Sequence, residues 1–304
     1  MHIPDGFLST PVWGTLDAVA IPTVAWISRS AQNSFDQHRA PLLGVLGAFV
    51  FAAQMINFPV GIGTSGHLVG GALLMFTLGP GAASIVMTAI LILQSLVFQD
   101  GGVLALGANV CNMAIAGVFA AYLVQRTFGP RRLTYFVGGA VSLLVSAMLA
   151  LSELLLSGVR MPRSVLWASV ALFVVSALVE GAITLVVMES LEKINPGFVR
   201  DGGRRSSSLI PAVALTSFVL VTVGFLIASS QPDGIWSLAA RVGLATHAQA
   251  TLSTPLADYK AGFINQPWLS RAFAGIGGLC LVYIVCWAIS RFALRRNAGT
   301  PRSA

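Results

Sequence analysis

The chain has 304 residues, of which 56% are hydrophobic and only 10% are charged. Because a soluble globular domain carries about 25% charged residues, this composition excludes an ordinary soluble protein. Apolar runs recur to the end of the chain and predict a polytopic α-helical membrane protein. The net charge of +7 is therefore interpreted as a signal of membrane topology, and no nucleic-acid partner is expected.

The apolar runs define the predicted membrane spans, since a crossing helix needs roughly 20 apolar residues. These spans are 11–28, 41–57, 80–98, 103–125, 133–157, 164–190, 209–229 and 269–290. Residues 67–79 are also apolar, but they are few and rich in Gly. Most Lys and Arg residues fall on one side of the membrane only if this short segment crosses as well. The sequence thus predicts nine crossings, with the N-terminus outside and the C-terminus in the cytoplasm.

A change in composition divides the chain into two parts. Residues 192–208 contain Pro, Gly, a Ser triplet and several charges, and they are predicted to form a cytoplasmic linker. The linker separates residues 1–191 from residues 209–304, whose two helices flank an outer loop, 230–268. This loop is too long to be a simple turn. The predicted fold is all-α, a seven-helix membrane bundle followed by two C-terminal transmembrane helices.

The opening residues, MHIPDG, are suited to binding a metal ion. The α-amine of Met1, the backbone nitrogen of His2 and the His2 imidazole are spaced to close small chelate rings around one dication. A second imidazole would complete a four-nitrogen plane, which suits Ni(II) or Cu(II) and is possible for Co(II). Pro4 fixes φ and Gly6 permits positive φ, so a turn can direct this segment toward the helices. A solvated terminal tail is the alternative interpretation.

His67 is the candidate for the second imidazole. It lies in the Gly-rich stretch 61–71, on the side of the membrane where the N-terminus is predicted. The alternative is a histidine bonded to a carbonyl where small residues let helices pack closely. Gln54, Asn57 and Ser65 flank the site and are candidate partners that orient a histidine ring through its other nitrogen. Hydrogen bonding between helices would explain them equally well.

Other chemistries find no support in the sequence. Neither Lys193 nor Lys260 follows a Gly-rich loop, so ATP would be hydrolysed by another subunit. No H-E-x-x-H or G-x-S-x-G motif is present, and we expect neither an enzyme nor an organic cofactor. His38 and His247 are assigned to loops.

The chain start, MHIPDGFLS, resembles the N-terminal signature of the CbiM/NikM family. The stretch FAAQMINFP at 51–59, which leads into GTSGH at 63–67, is similar to a second family signature. GANVCNM at 107–113 resembles a third, and the similarity covers roughly residues 1–190. Members of this family are substrate-specific (S) components of energy-coupling factor (ECF) transporters for cobalt and nickel.

The resemblance implies an S component whose N-terminal segment inserts into the helical bundle. It implies metal ligands from the terminal amine of Met1, the backbone nitrogen and imidazole of His2, and His67. The expected cargo is Ni(II) or Co(II), with nickel favoured because fused systems are more familiar for nickel. The expected partners are a transmembrane coupling (T) subunit, cytoplasmic ABC ATPases and the lipid bilayer of a bacterial inner membrane. The small-residue faces 114–117 and 138–140 are candidate docking surfaces or internal packing.

The part after the linker resembles the auxiliary NikN/CbiN-like component, fused here to the S component. Its outer loop is of the PDGLE type but reads Pro232-Asp233-Gly234-Ile235-Trp236, so the glutamate is missing. The alternative function is a stand-alone secondary Ni/Co permease. Such a permease is expected to pair histidine and acidic residues within one helix, a pattern that this chain lacks.

Overall fold

The computed structural model describes residues 1–31, 40–61, 63–196, 198, 209–226, 228–248 and 251–298. The helices are α1 (Thr10–Ala31), α2 (Ala40–Gln54), α3 (Gly71–Leu78), α4 (Pro80–Leu93), α5 (Leu106–Asn109), α6 (Val118–Phe128), α7 (Arg132–Leu156), α8 (Arg163–Ile194), α9 (Leu209–Val223), α10 (Gly234–Arg241) and α11 (Pro267–Ala298). A π-helical segment extends α4 to Phe98, and another joins α5 to α6. The prediction of a mostly helical fold is confirmed.

One short β-hairpin interrupts the helices. Strands β1 (Asn57–Gly61) and β2 (Thr64–His67) are antiparallel, and Asn57 lies opposite His67 in the register. The sequence prediction missed this hairpin and extended a helical span to residue 57. Pro59 lacks a backbone N–H and restricts the residue before it, so this stretch is unsuited to continuing α2.

The protein is a multi-pass membrane protein. Five of the described helical segments are long and apolar enough to cross a membrane: Pro80–Phe98, Leu106–Phe128, Arg132–Leu156, Arg163–Ile194 and Pro267–Arg291. Two shorter apolar helices, α2 and α9, have 15 residues each. The number of crossings and the orientation of the termini stay predictions.

Residues 67–79 do not form one continuous helix. His67 ends β2, and α3 has eight residues, all of them buried. At a rise of 1.5 Å per residue α3 is about 12 Å long, too short to cross a bilayer core. Gly79 has φ 84°, a left-handed value that breaks the helix before α4 begins at Pro80.

The C-terminal helices pack directly on the N-terminal part. Helix α2 contacts both α9 and α11. The close approach depends on Gly44, where an added Cβ would lie 2.7 Å from the ring of Tyr283. Helix α8 continues to Ile194, into the predicted linker, most of which lies outside the described residues. The division at 192–208 stays a prediction from sequence.

The two small-residue faces lie partly inside the bundle, with Ile115, Ala116 and Ala140 half-buried. Ala114 is fully buried. An added Cβ on Gly138 would lie 2.5 Å from Phe76, and one on Gly139 would lie 2.8 Å from Oγ1 of Thr184. Of the two interpretations, these contacts favour internal packing over docking.

Candidate metal centre

The N-terminal segment is inserted into the bundle and fixed there. Met1, His2 and Ile3 are all buried. The backbone N–H of Ile3 donates to Oδ1 of Asn109 at 2.8 Å, and Nδ2 of Asn109 donates to the Ile3 carbonyl at 3.1 Å. The same carbonyl accepts the N–H of Gly102 at 2.9 Å. One amide side chain thus holds both polar groups of a single backbone residue.

Asp5 anchors the segment to the loop before α5. Its carboxylate accepts the backbone N–H groups of Val103, Leu104 and Ala105 at 3.0, 2.8 and 3.2 Å. Thr251 of the outer loop donates its hydroxyl to the same carboxylate. Amides at the start of a helix have no partner within it, so an acidic residue there stabilises the helix start. Residues 103–105 were predicted as part of a membrane span. In the structure they instead belong to the loop that binds the N-terminal segment through Asp5.

This docking requires glycine on the opposing loop. Gly101 has φ 92°, and an added Cβ would lie 3.1 Å from Cβ of His2. An added Cβ on Gly102 would lie only 2.1 Å from Oδ1 of Asp5. The N-terminal segment thus crosses the backbone of this loop too closely for any side chain.

We expect Gly102→Ala to weaken metal binding by about tenfold or more, since overpacking costs about 1–3 kcal/mol and 1.4 kcal/mol is tenfold in affinity. Titration of the purified protein with Ni(II) measures the change. Gly277→Ala in α11 is the matched control, because nothing beyond the adjacent residues and the backbone of its own helix lies within 4 Å of the added Cβ there. Equal Ni(II) affinity of the two variants would show that this close crossing does not position the site.

The three predicted ligand residues come together. The amino nitrogen of Met1 contacts Nε2 of His67. The rings of His2 and His67 are parallel, with an interplanar angle of 5° and centroids 5.2 Å apart. Both ring nitrogens of His2 are buried without a hydrogen-bond partner, although Nδ1 lies 3.2 Å from Oδ1 of Asp100. Buried polar atoms are nearly always paired, so these nitrogens suit a ligand role.

Side chains alone do not complete a ligand set. Within the described residues, no three His, Cys, Asp or Glu side chains are arranged to hold a metal ion. A site here would need nitrogen donors from the main chain, as the sequence predicted for Met1 and His2. The ligand assignment stays a prediction.

Each of the predicted outer partners forms hydrogen bonds with the main chain. Asn57 is the neighbour of His67 across the hairpin. Nε2 of Gln54 donates a hydrogen bond to the carbonyl of Val69 at 2.7 Å. Ser65 bonds to the outer loop. Nδ1 of His67 lies 3.0 Å from the carbonyl of Leu68, so a backbone group faces the ring nitrogen.

Glu180 of α8 fixes the turn after His67, a role that sequence reasoning did not assign. Its two carboxylate oxygens accept the N–H groups of Val69 and Gly70, both at 2.8 Å. Glu180 is fully buried. Gly70 has φ 77°, so this turn presents two adjacent amides to one carboxylate.

Two aspartates beside the histidines were also missed. Asp100 faces His2, and its Oδ2 accepts the hydroxyl of Tyr259 at 2.5 Å. Asp233 accepts the amino group of Met1 at 2.8 Å and lies 3.9 Å from Nε2 of His67. The Pro-Asp-Gly motif around Asp233 was the one available signal, and it was used only to compare the outer loop with the PDGLE type.

The electrostatics keep His67 neutral. Burial and the Met1 amino group lower the pKa of His67 to about 3. Burial opposes ionisation of Asp100, but its contacts with His2 outweigh burial and lower the pKa. For Asp233, burial is likewise outweighed by the Met1 amino group and His67, which lower its pKa. The centre thus combines a neutral imidazole with two carboxylates at ordinary pH.

The chain is similar to known metal transport proteins. Residues 2–198 match the family model CbiM, described as a cobalt uptake substrate-specific transmembrane region. The chain is 33% identical over 303 residues to NikMN of Archaeoglobus fulgidus, named as a fused nickel transport protein, covering 96% of this chain and 99% of the relative. It is 32% identical over 257 residues to LarMN of Lactiplantibacillus plantarum, named as a probable fused nickel transport protein, covering 78% of each. A solved structure titled a transition metal transporter matches with a TM-score of 0.58 and 31% identity, covering 69% of this chain and 99% of that one.

The apolar bundle, its buried histidine centre and these similarities define a membrane transport protein for transition metals, not an enzyme. The chain belongs to the CbiM family. Its similarity to fused relatives extends over the C-terminal part as well.

Proposed function

We propose that this chain is the substrate-binding membrane component of an ATP-driven ECF-type importer that takes up Ni(II) in preference to Co(II). The metal binds at the outer face to the amine of Met1, the backbone nitrogen and imidazole of His2, and Nε2 of His67. The observation that carries the proposal is the contact of the Met1 amine with His67, beside the parallel ring of His2.

The preference for nickel follows from the ligands. A nitrogen donor set binds Ni(II) more tightly than Co(II) in the general order of divalent-metal affinities. The fused relatives NikMN and LarMN are named as nickel transport proteins, which supports the same assignment. ATP hydrolysis is assigned to separate subunits, since the chain carries no Walker A motif.

Uptake into lipid vesicles tests the proposal. The chain is reconstituted alone or with the T subunit and ATPases of its transport system, and Ni(II) accumulation is measured with ATP or with a proton gradient. We expect accumulation only with the partners and ATP. Equimolar Co(II) is expected to compete less well than unlabelled Ni(II).

Histidine variants connect uptake to the site. We expect His67→Ala to abolish uptake, because an imidazole ligand is lost. His247→Ala is the matched control, since it removes an exposed imidazole from the outer loop. Accumulation by the chain alone on a proton gradient would instead support a secondary permease, and equal loss in both variants would contradict the site.

A further inference from the structure

Asp233 belongs to the C-terminal part, yet it lies within the candidate metal centre. Its Oδ1 accepts the N–H of Trp236 at 2.9 Å, which caps the start of α10. Its Oδ2 lies 2.8 Å from the amino nitrogen of Met1 and 3.9 Å from Nε2 of His67. One oxygen therefore fixes the carboxylate, and the other is directed at the nitrogens that the proposed function assigns to the metal.

We propose that Asp233 supplies an oxygen ligand to the transported metal ion, so that the site is completed by the C-terminal part of the chain. This inference rests on the proposed function and adds to it. The ligand set then contains a carboxylate besides the nitrogens of Met1, His2 and His67.

The distances fit one shared ion. Two atoms that each bond one metal ion at about 2.1 Å can be at most about 4 Å apart. Oδ2 of Asp233 lies within this limit of both proposed ligand nitrogens, at 2.8 Å from the Met1 nitrogen and 3.9 Å from His67 Nε2. The Met1 amine and His67 Nε2 are in direct contact, and no three of the described side chains already surround an ion, so these groups must separate slightly to admit one.

The charge balance favours the same arrangement. Binding through the His2 backbone nitrogen displaces its amide proton and adds one negative charge, so a dication in this buried site would still carry a net positive charge away from water. Asp100 lies beside His2, on Nδ1 of its ring. Asp233 is the carboxylate that reaches the amine and His67, and it is also nearly buried.

The hairpin that carries His67 also holds Asp233 in place. Ser65 donates its N–H to the carbonyl of Pro232 at 2.8 Å and its hydroxyl to the carbonyl of Gln231 at 2.6 Å. Gly234 packs on Phe173, where an added Cβ would lie 2.8 Å from the ring. Since Ser65 is two residues from His67, the same hairpin positions both the carboxylate and the imidazole.

The test compares the full chain with its Asp233→Asn variant, using Ni(II) and Co(II) salts. Asparagine keeps the helix cap, because it caps as well as aspartate. We expect Ni(II) affinity to fall by about tenfold or more. We also expect the ligand-field absorption spectra of bound Ni(II) and Co(II) to change, because these spectra report on bonded ligands and not on a distant cap.

Asp258→Asn is the matched control, since it removes an exposed carboxylate from the same outer loop and is expected to leave both readouts unchanged. Asparagine also tolerates the positive φ of 52° found at Asp258. If Asp233→Asn binds metal with the affinity and spectra of the unmodified chain, the ligand role is wrong while the proposed function stands. If the unmodified chain binds neither metal, both are wrong.

Discussion

One extra residue before Met1 is expected to abolish high-affinity metal binding. The extension converts the amine into a peptide nitrogen, which is a far poorer donor, and Met1 is buried with little room for added atoms. We expect Ni(II) affinity to fall more than about 100-fold, equivalent to about 2.7 kcal/mol. Calorimetric titration with Ni(II) measures this loss of affinity. The extended protein is released from an N-terminal fusion by a cleavage that leaves one Gly before Met1.

The control is the same fusion cleaved directly before Met1, so that both samples share one preparation. Thermal unfolding of the metal-free samples separates a lost ligand from a lost fold. Should the extended protein bind Ni(II) as tightly as the control, the amine is not a ligand, and the proposed site is wrong at its first residue.

Removal of the Glu180 carboxylate is expected to have the second large effect. Glu180→Ala leaves the N–H groups of Val69 and Gly70 buried without an acceptor, and each unsatisfied donor costs about 1–3 kcal/mol of stability. The turn that follows His67 then loses its anchor, and we expect Ni(II) affinity to fall by about 100-fold. Glu180→Gln keeps one acceptor oxygen, so its loss should be smaller. Titration of the purified variants measures both.

Glu189→Ala provides a matched control on the same helix. Glu189 pairs with the exposed Arg132 at 3.0 Å, and surface ion pairs contribute about 1 kcal/mol or less. We expect its Ni(II) affinity to equal that of the unmodified chain. If Glu180→Ala binds Ni(II) as well as Glu189→Ala, the anchoring of the His67 turn is irrelevant to the site.

The helical spans could be predicted because their signal is local. A long apolar run must bury its backbone polar groups in its own hydrogen bonds, which only a helix provides within one segment. The runs at 133–157 and 164–190 therefore correspond closely to α7 and α8. The structure of the Gly-rich segment was harder to predict, because β1, β2 and α3 depend on contacts with neighbouring segments rather than on a periodic pattern of apolar residues.

The membrane class of the protein, most of its helices and the candidate ligands Met1, His2 and His67 could all be predicted from the sequence. The class and the helices follow from composition and apolar runs. Met1 and His2 follow from donor atoms that are neighbours along the chain, and His67 from its place in the Gly-rich stretch and from the family resemblance. Only the tertiary structure brought the first amino group to His67, which is 66 residues away. It also decided the roles of Glu180 and Asp233, because the partner of a buried charge depends on how distant segments pack, and no local pattern encodes that.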